Sequence, residues 1–261
     1  MNSQRLRNAS DLLHAAWMDG TVIDALPETC RPRTREEGYA IQALLEPRSS
    51  LPIYGWKIAA TSLAGQAHIA VDGPLAGRLL AERVVPSGGT IPPGANRMAV
   101  AEVEFAFRMA RDLVPRPTPY GVDEVLDAVA SVHAAIEIPD SRFEDFTRVG
   151  APQLIADNAC AHYFTCAGPT TADWRDLDLA QYRAVGRVHG RSECEGQGAN
   201  VLGDPRVALA WLANELSALG IALHRDQVVT TGTCVKPMPI RPGDRVTADF
   251  GALGVASVTI G

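Results

Sequence analysis

The stretch at residues 99–107, Ala-Val-Ala-Glu-Val-Glu-Phe-Ala-Phe, limits the fold more than any other part of the 261-residue chain. Its alternation predicts a strand with Val103, Phe105 and Phe107 on one face and Glu102 and Glu104 on the other. Glutamate is a poor strand former and neighbouring like charges repel, so that acidic face needs solvent or a cation against it. A solvated outer face satisfies the pattern. So does a hard-cation site, because carboxylate oxygens suit Mg2+ or Mn2+, which keep positions open for substrate oxygens.

Charge narrows the partners. With 24 basic and 30 acidic residues and no run of Lys or Arg, a net charge of -6 argues against nucleic acid or an anionic membrane surface. A small molecule or another protein chain remains. No run reaches the roughly 18 apolar residues of a membrane span, and Met-Asn-Ser-Gln-Arg lacks a signal peptide's apolar core, so a cytoplasmic location is expected. Cys30, Cys160, Cys166, Cys194 and Cys234 never form Cys-x-x-Cys and are expected to be free thiols, not a disulfide framework or zinc knuckle.

Around the acidic strand the chain reads as mixed helix and strand. Residues 10–19 predict a helix ended by Gly20, with Leu12, Leu13, Ala16 and Trp17 on one apolar stripe. Thr34 and Glu37 have capping-box spacing for a second helix running towards Pro47. Residues 51–60 predict a buried strand with one charge, Lys57, which either snorkels to water or is held inside as a cation by acids. Asp72 falls in the turn Val71-Asp-Gly-Pro74, and residues 81–96 predict edge strands and turns. Residues 122–130 predict a helix leading into a strand where Glu137 stands between two isoleucines, a third acid in an apolar run. Asp157 and Asn158 interrupt another apolar run, Leu154-Ile-Ala-Asp-Asn-Ala-Cys-Ala, either to close a turn or to serve a site. The glycine-rich loop at residues 196–203 lacks phosphate-loop and dinucleotide spacing. Asp204, Pro205 and Gly220 bound a helix with Leu209, Leu212, Leu216 and Leu219 inward, and strands broken by Pro242-Gly-Asp follow.

Taken in order, Gly55-Trp-Lys57, Val71-Asp72, Glu102-Val-Glu104, Ala135-Ile-Glu137, Ala156-Asp-Asn158, the loop from Gly196 to Pro205, and Thr231-Gly-Thr233 with Gly243-Asp244 carry a family resemblance. The set resembles the fumarylacetoacetate hydrolase superfamily, and within it the 2-oxo-4-pentenoate hydratase and 4-oxalocrotonate decarboxylase branch. The resemblance implies an α+β fold, a mixed β-rich roll or sandwich of the C-terminal-domain type at residues 51–261, with peripheral helices and an N-terminal helical extension at residues 1–50. It implies Mg2+ or Mn2+ on Glu102, Glu104 and Glu137, a catalytic Lys57 with Asp72 beside it, and substrate contacts from Asp157, Asn158 and Thr233. The implied activity is hydration of an unsaturated 2-oxo or 2-hydroxy acid of the 2-hydroxypenta-2,4-dienoate type in aromatic-compound breakdown.

Decarboxylation of a 4-oxalocrotonate-like diacid is the alternative, with Arg142 or Lys236 as the expected contact for the second carboxylate. A non-catalytic partner subunit is a further one. Carbon-carbon hydrolysis is disfavoured, because the N-terminal part offers no His-x-x-Glu to activate water. Glu104-Phe-Ala-Phe107 and Pro139-Asp-Ser-Arg142 depart from the family pattern, so Trp56, Phe105 and the residues after Pro139 are expected to shape the pocket. The resemblance also implies a homo-oligomer, or a complex with a paralogous hydratase or decarboxylase or a downstream aldolase.

Overall fold

In chain order the elements are α1 (Ser3–Asp19), α2 (Arg35–Gln42), β1 (Gly55–Ala59), α3 (Leu63–His68), β2 (Leu75–Leu79), β3 (Thr90–Ile91), β4 (Val100–Met109), α4 (Val122–Leu126) and β5 (Val129–Ile138). They continue with α5 (Ala151–Ala156), β6 (Tyr163–Cys166), β7 (Arg183–Val188), β8 (Ser192–Gln197), α6 (Pro205–Ala218), β9 (Val228–Thr233), β10 (Met238–Pro239), β11 (Arg245–Asp249) and β12 (Val255–Ile260). The structure is a computed structural model and describes residues 1–92 and 94–261.

Two sheets enclose the core. The first has the order β2-β1-β9-β4-β5-β6 with β10 paired to β4, and the second the order β3-β12-β11-β7-β8. Val103, Phe105 and Phe107 point from β4 into the space between the sheets and are fully buried. There the Phe105 ring meets Phe250 edge-on at 4.5 Å, and burying each such ring contributes roughly 1.5–3 kcal/mol. The α+β roll follows from that alternation. A side chain on Gly186 of β7 would run into Met238 and Val103, so the sheets close on a glycine there.

The helix caps agree with the sequence. Thr34 accepts from the Glu37 amide, Asp204 accepts from the Arg206 amide, and Gly20 takes the left-handed conformation that ends α1. The first helix begins earlier than residue 10, because Asn2 caps it by accepting from the Arg5 amide. The strand predicted at residues 51–60 shrinks to β1, and residues 81–96 hold one short strand, β3, among the described residues. The helix predicted at residues 122–130 stops at Leu126, where β5 takes over at Val129.

The first 50 residues pack on the rest of the chain. Ala9, Leu13, Leu26 and Ile41 cluster with Phe143 and Ala156, while Tyr39 belongs to the main core. No described helix is long and apolar enough to cross a membrane.

Candidate active site

Strand parity builds the site. In the first sheet Trp56, Ile58, Val103, Phe105, Ala134 and Ile136 face the second sheet, so Lys57, Glu102, Glu104 and Glu137 face the other way together. Glu102 and Glu137 are direct cross-strand partners on β4 and β5, and Glu104 lies opposite Ala135. One carboxylate oxygen from each of the three acids lies within 4.8 Å of the others. Glu104 and Glu137 are fully buried, and Glu102 opens onto a cavity.

The acids are only half satisfied. Glu104 Oε2 accepts from Thr230 Oγ1, and from the Gly232 amide at 2.8 Å. Gly232 has φ +100°, and a side chain there would strike Thr61, so this donor needs a glycine. Glu104 Oε1 and Glu137 Oε2 have no hydrogen-bond partner, and Glu137 Oε1 meets only the Lys57 ammonium. Burial, then the facing Glu137 and Glu102, pushes the Glu104 carboxyl well above the ordinary range. Burial pushes Glu137 up to about 7 against the opposing pull of Lys57. Three hard oxygen donors converging at one point, two of them on buried carboxyls with an orphaned oxygen, fit a divalent cation such as Mg2+.

Lys57 does not snorkel. It is 2 % exposed, its Nζ lies 3.0 Å from Glu137 Oε1, and it donates to the Ala159 carbonyl at 3.1 Å. Burial alone would depress the ammonium, but Glu137, Glu102 and Glu104 outweigh it and raise its pKa. Lys57 is therefore held inside as a cation by the acids.

The Ala159 carbonyl is aimed by an unusual turn. Asn158, Ala159 and Cys160 have φ of 56°, 49° and 61°, three successive non-glycine residues in the left-handed region, each costing about 1–2 kcal/mol. Two clamps hold them. Asn158 Oδ1 accepts from the Arg78 amide at 2.7 Å and its Nδ2 donates to the Arg78 carbonyl at 2.9 Å, tying the turn to β2. Asp157 accepts from Ser141 Oγ at 2.7 Å, from the Arg142 amide at 3.0 Å and from the Arg142 guanidinium. That guanidinium also donates to the Asp157 carbonyl and stacks 4.5 Å over Trp17.

Glu102 and Lys57 border a cavity of about 860 Å³, with Glu104 and Glu137 buried behind them. Thr233 lines it, with Oγ1 donating to the Val235 carbonyl at 2.8 Å. Other expected residues lie elsewhere. Asp157 and Asn158 are each 1 % exposed and do not line the cavity; their polar atoms are used up in holding the turn. The Asp72 side chain is 90 % exposed, 3.7 Å from Arg35 and outside the cavity wall, so no acid of that turn stands beside Lys57. Arg142 is committed to Asp157, whereas Lys236 does reach the lining. Trp56 and Phe105 belong to the core between the sheets and shape no pocket.

Sequence reasoning passed over Ala159, Thr61, His68 and Arg97, all in the lining. Cys160 and His162 form no nucleophile pair, since burial pushes the Cys160 thiol up to about 12 and His162 accepts from the Trp17 indole at 3.0 Å.

The model of the fumarylacetoacetate (FAA) hydrolase C-terminal family matches residues 69–260. The chain belongs to this family. Within the fumarylacetoacetate hydrolase family it is 31% identical over 258 residues to a 2-keto-4-pentenoate hydratase of Paraburkholderia xenovorans (strain LB400), covering 97% of this chain and 94% of the relative. It is 31% identical over 233 residues to a 2-oxo-hept-4-ene-1,7-dioate hydratase of Escherichia coli, covering 86% of each. Among solved structures, a 4-oxalocrotonate decarboxylase from Pseudomonas putida G7, complexed with magnesium and adipate, superposes with a TM-score of 0.87 at 26% identity, over 100% of this chain and 98% of that one.

Proposed function

We propose that this family member is a metal-dependent lyase that hydrates an unsaturated 2-oxo acid presented as its 2-hydroxydienoate, of the 2-hydroxypenta-2,4-dienoate type, in the breakdown of aromatic compounds. The observation that carries the reading is the trio Glu102, Glu104 and Glu137, with orphaned oxygens on Glu104 and Glu137, set against a buried Lys57 on a cavity of substrate size. A divalent cation held by the trio, Mg2+ or Mn2+, supplies Lewis-acid stabilisation of negative charge on a 2-oxo acid. The Lys57 ammonium gives a proton to C5 of the dienol and receives the C2 hydroxyl proton, leaving the conjugated 2-ketone. Water then adds across C3 and C4, its oxygen to C4 and its proton to C3. Of the substrate contacts expected from the sequence, Thr233 alone lines the cavity wall.

Decarboxylation of a 4-oxalocrotonate-type diacid is the second reading, favoured by the full-length superposition on the decarboxylase. There the bond to the distal carboxylate breaks, CO2 leaves, and the electron pair enters the same 2-oxo system. A non-catalytic partner subunit has no need of the buried acids or Lys57. A homo-oligomer, or association with a paralogous hydratase or decarboxylase or with a downstream aldolase, belongs to the proposal, and co-purification with sedimentation checks it.

Ultraviolet turnover of freshly generated 2-hydroxypenta-2,4-dienoate and of 4-oxalocrotonate, with Mg2+ or Mn2+ and with chelator, tests the activity. Metal-dependent conversion of the dienoate to a 4-hydroxy-2-oxo acid supports the hydratase. Release of CO2 from the diacid alone replaces it by the decarboxylase, and turnover that survives chelation refutes both.

A further inference from the structure

A second cavity, of about 590 Å³, shares no wall residue with the first. It lies where the end of α1 meets the start of β6, and Trp17, Arg83, His162 and Tyr163 gather on its wall. The Arg83 guanidinium lies over two rings, 5.2 Å from the centre of Trp17 and 5.1 Å from that of Tyr163, and its Nη1 donates to Tyr163 Oη at 2.8 Å. Stacking of this kind fixes a guanidinium in place without an acid to neutralise it. Arg83 forms no ion pair among the described residues, so most of its N–H fork is left without an acceptor.

His162 is packed into the same group, its ring centre 4.5 Å from Tyr163 and 5.8 Å from Trp17. An indole can only donate, so the Trp17 bond to His162 Nδ1 at 3.0 Å leaves the imidazole proton on Nε2. Burial, with Arg142 and Arg83 nearby, lowers this imidazole to about 3, so it stays neutral and Nε2–H is a standing donor. That N–H has no partner among the described residues and is not sealed from solvent.

Two neighbouring groups on one wall therefore offer donors and no acceptor, which a carboxylate answers with its two oxygens. The remaining wall narrows the class. Ile91, Ile138, Ile240 and Ile260 make it apolar, which suits a ligand with an oily body. Arg241, also on the wall, is 69 % exposed and faces Asp244 at 3.8 Å, while Asp19 is the one acidic side chain in the lining among the described residues. One uncompensated guanidinium with Asp19 near it answers a single negative charge and leaves a dianion such as phosphate short of partners. The volume falls within the roughly 300–1,000 Å³ span of small-molecule sites.

We infer that this cavity is a second ligand site, separate from the acid trio, that takes a monocarboxylate with an apolar body on the Arg83 guanidinium and His162 Nε2.

Calorimetry of the Mg2+-loaded protein with benzoate and with its neutral isostere benzamide tests the assignment. Benzoate is expected to bind at least about tenfold more tightly than benzamide, and Arg83→Met and His162→Phe each to cut that preference, Arg83→Met by about tenfold. Glu104→Gln, which alters the trio and not this cavity, is expected to leave the preference unchanged. Equal affinities for the two probes in the wild type overturn the inference without any variant. A preference that survives Arg83→Met, or one that disappears in Glu104→Gln, also overturns it, the latter by placing the carboxylate in the first cavity.

Discussion

Glu104→Gln should stabilise the metal-free protein while abolishing its response to metal. In the wild type Glu104 Oε2 is served by Thr230 and the Gly232 amide, but Oε1 has no partner and faces two further acids. Glutamine is nearly isosteric. Its carbonyl keeps both donors, and its amide nitrogen presents N–H groups towards the orphaned Glu137 oxygen. Removing a buried like charge and adding a hydrogen bond to a charged group, which contributes about 1.5–3 kcal/mol, predicts a net gain of about 2 kcal/mol without metal. In a domain of this size that raises Tm by about 4–8 °C. The raised folded-state pKa fixes the sign of the pH dependence. A carboxyl that prefers its proton in the folded state costs stability once pH exceeds its ordinary value of about 4.3, so the gain from glutamine is absent near pH 4 and grows towards pH 8. Mg2+ at a hundred times its Kd stabilises the wild type by about 2.7 kcal/mol, or roughly 5–10 °C, and should leave the variant unmoved. Thermal scans of both proteins at pH 8, with EDTA and with Mg2+, read all four numbers. A variant less stable than the metal-free wild type, or one that still gains Tm from Mg2+, refutes the reasoning.

Other substitutions probe the parts around the trio. Gly77→Ala on β2 puts a methyl into the Asn158 carbonyl and 3.1 Å from the Lys57 side chain; an activity loss of about tenfold or more is expected at unchanged metal affinity, since a small misplacement of a catalytic group costs that much, as steady-state kinetics and metal titration will show. Arg142→Met leaves Asp157 charged and buried without its partner and should cost about 3–5 kcal/mol in urea unfolding. Lys57→Met should lower kcat by at least about 10²-fold with the trio still binding metal, the reduction expected for loss of a proton-transfer group; normal turnover in this variant would remove Lys57 from the mechanism.

The acids of the site were legible because strand alternation is a strong code. Glu102, Glu104 and Glu137 stood in apolar runs at positions whose parity puts them on one face, and the structure brings them together. The same parity argues against Trp56 and Phe105 as pocket residues, since each is a chain neighbour of a site residue and must point the other way. Asp72, Asp157 and Asn158 lie off the cavity wall for another reason. A motif fixes which acids are present, while the surrounding fold decides whether each faces the cavity, solvent or a structural arginine. Nothing in the sequence announced Ala159, because it acts through a backbone carbonyl and any side chain carries one. The left-handed run at residues 158–160 was equally silent, having no glycine to mark it. Arg97 carried no signal until the fold placed it on the same wall as Lys236, which the sequence had offered as a substrate contact.

The cross-strand pairing of Glu102 with Glu137 bears on how the protein acquires its fold. While β4 and β5 come together without a cation, the native register is opposed at one end by two carboxylates placed face to face, and is favoured along the rest by Val103 against Ile136 and Phe105 against Ala134. Sliding β5 by one residue would part the acids but turn its apolar face outward. The final alignment is therefore a contest between oily contacts and acidic repulsion, and a divalent ion present during refolding removes the repulsive side. Refolding with and without Mg2+ is then expected to differ in the yield of correctly aligned chains.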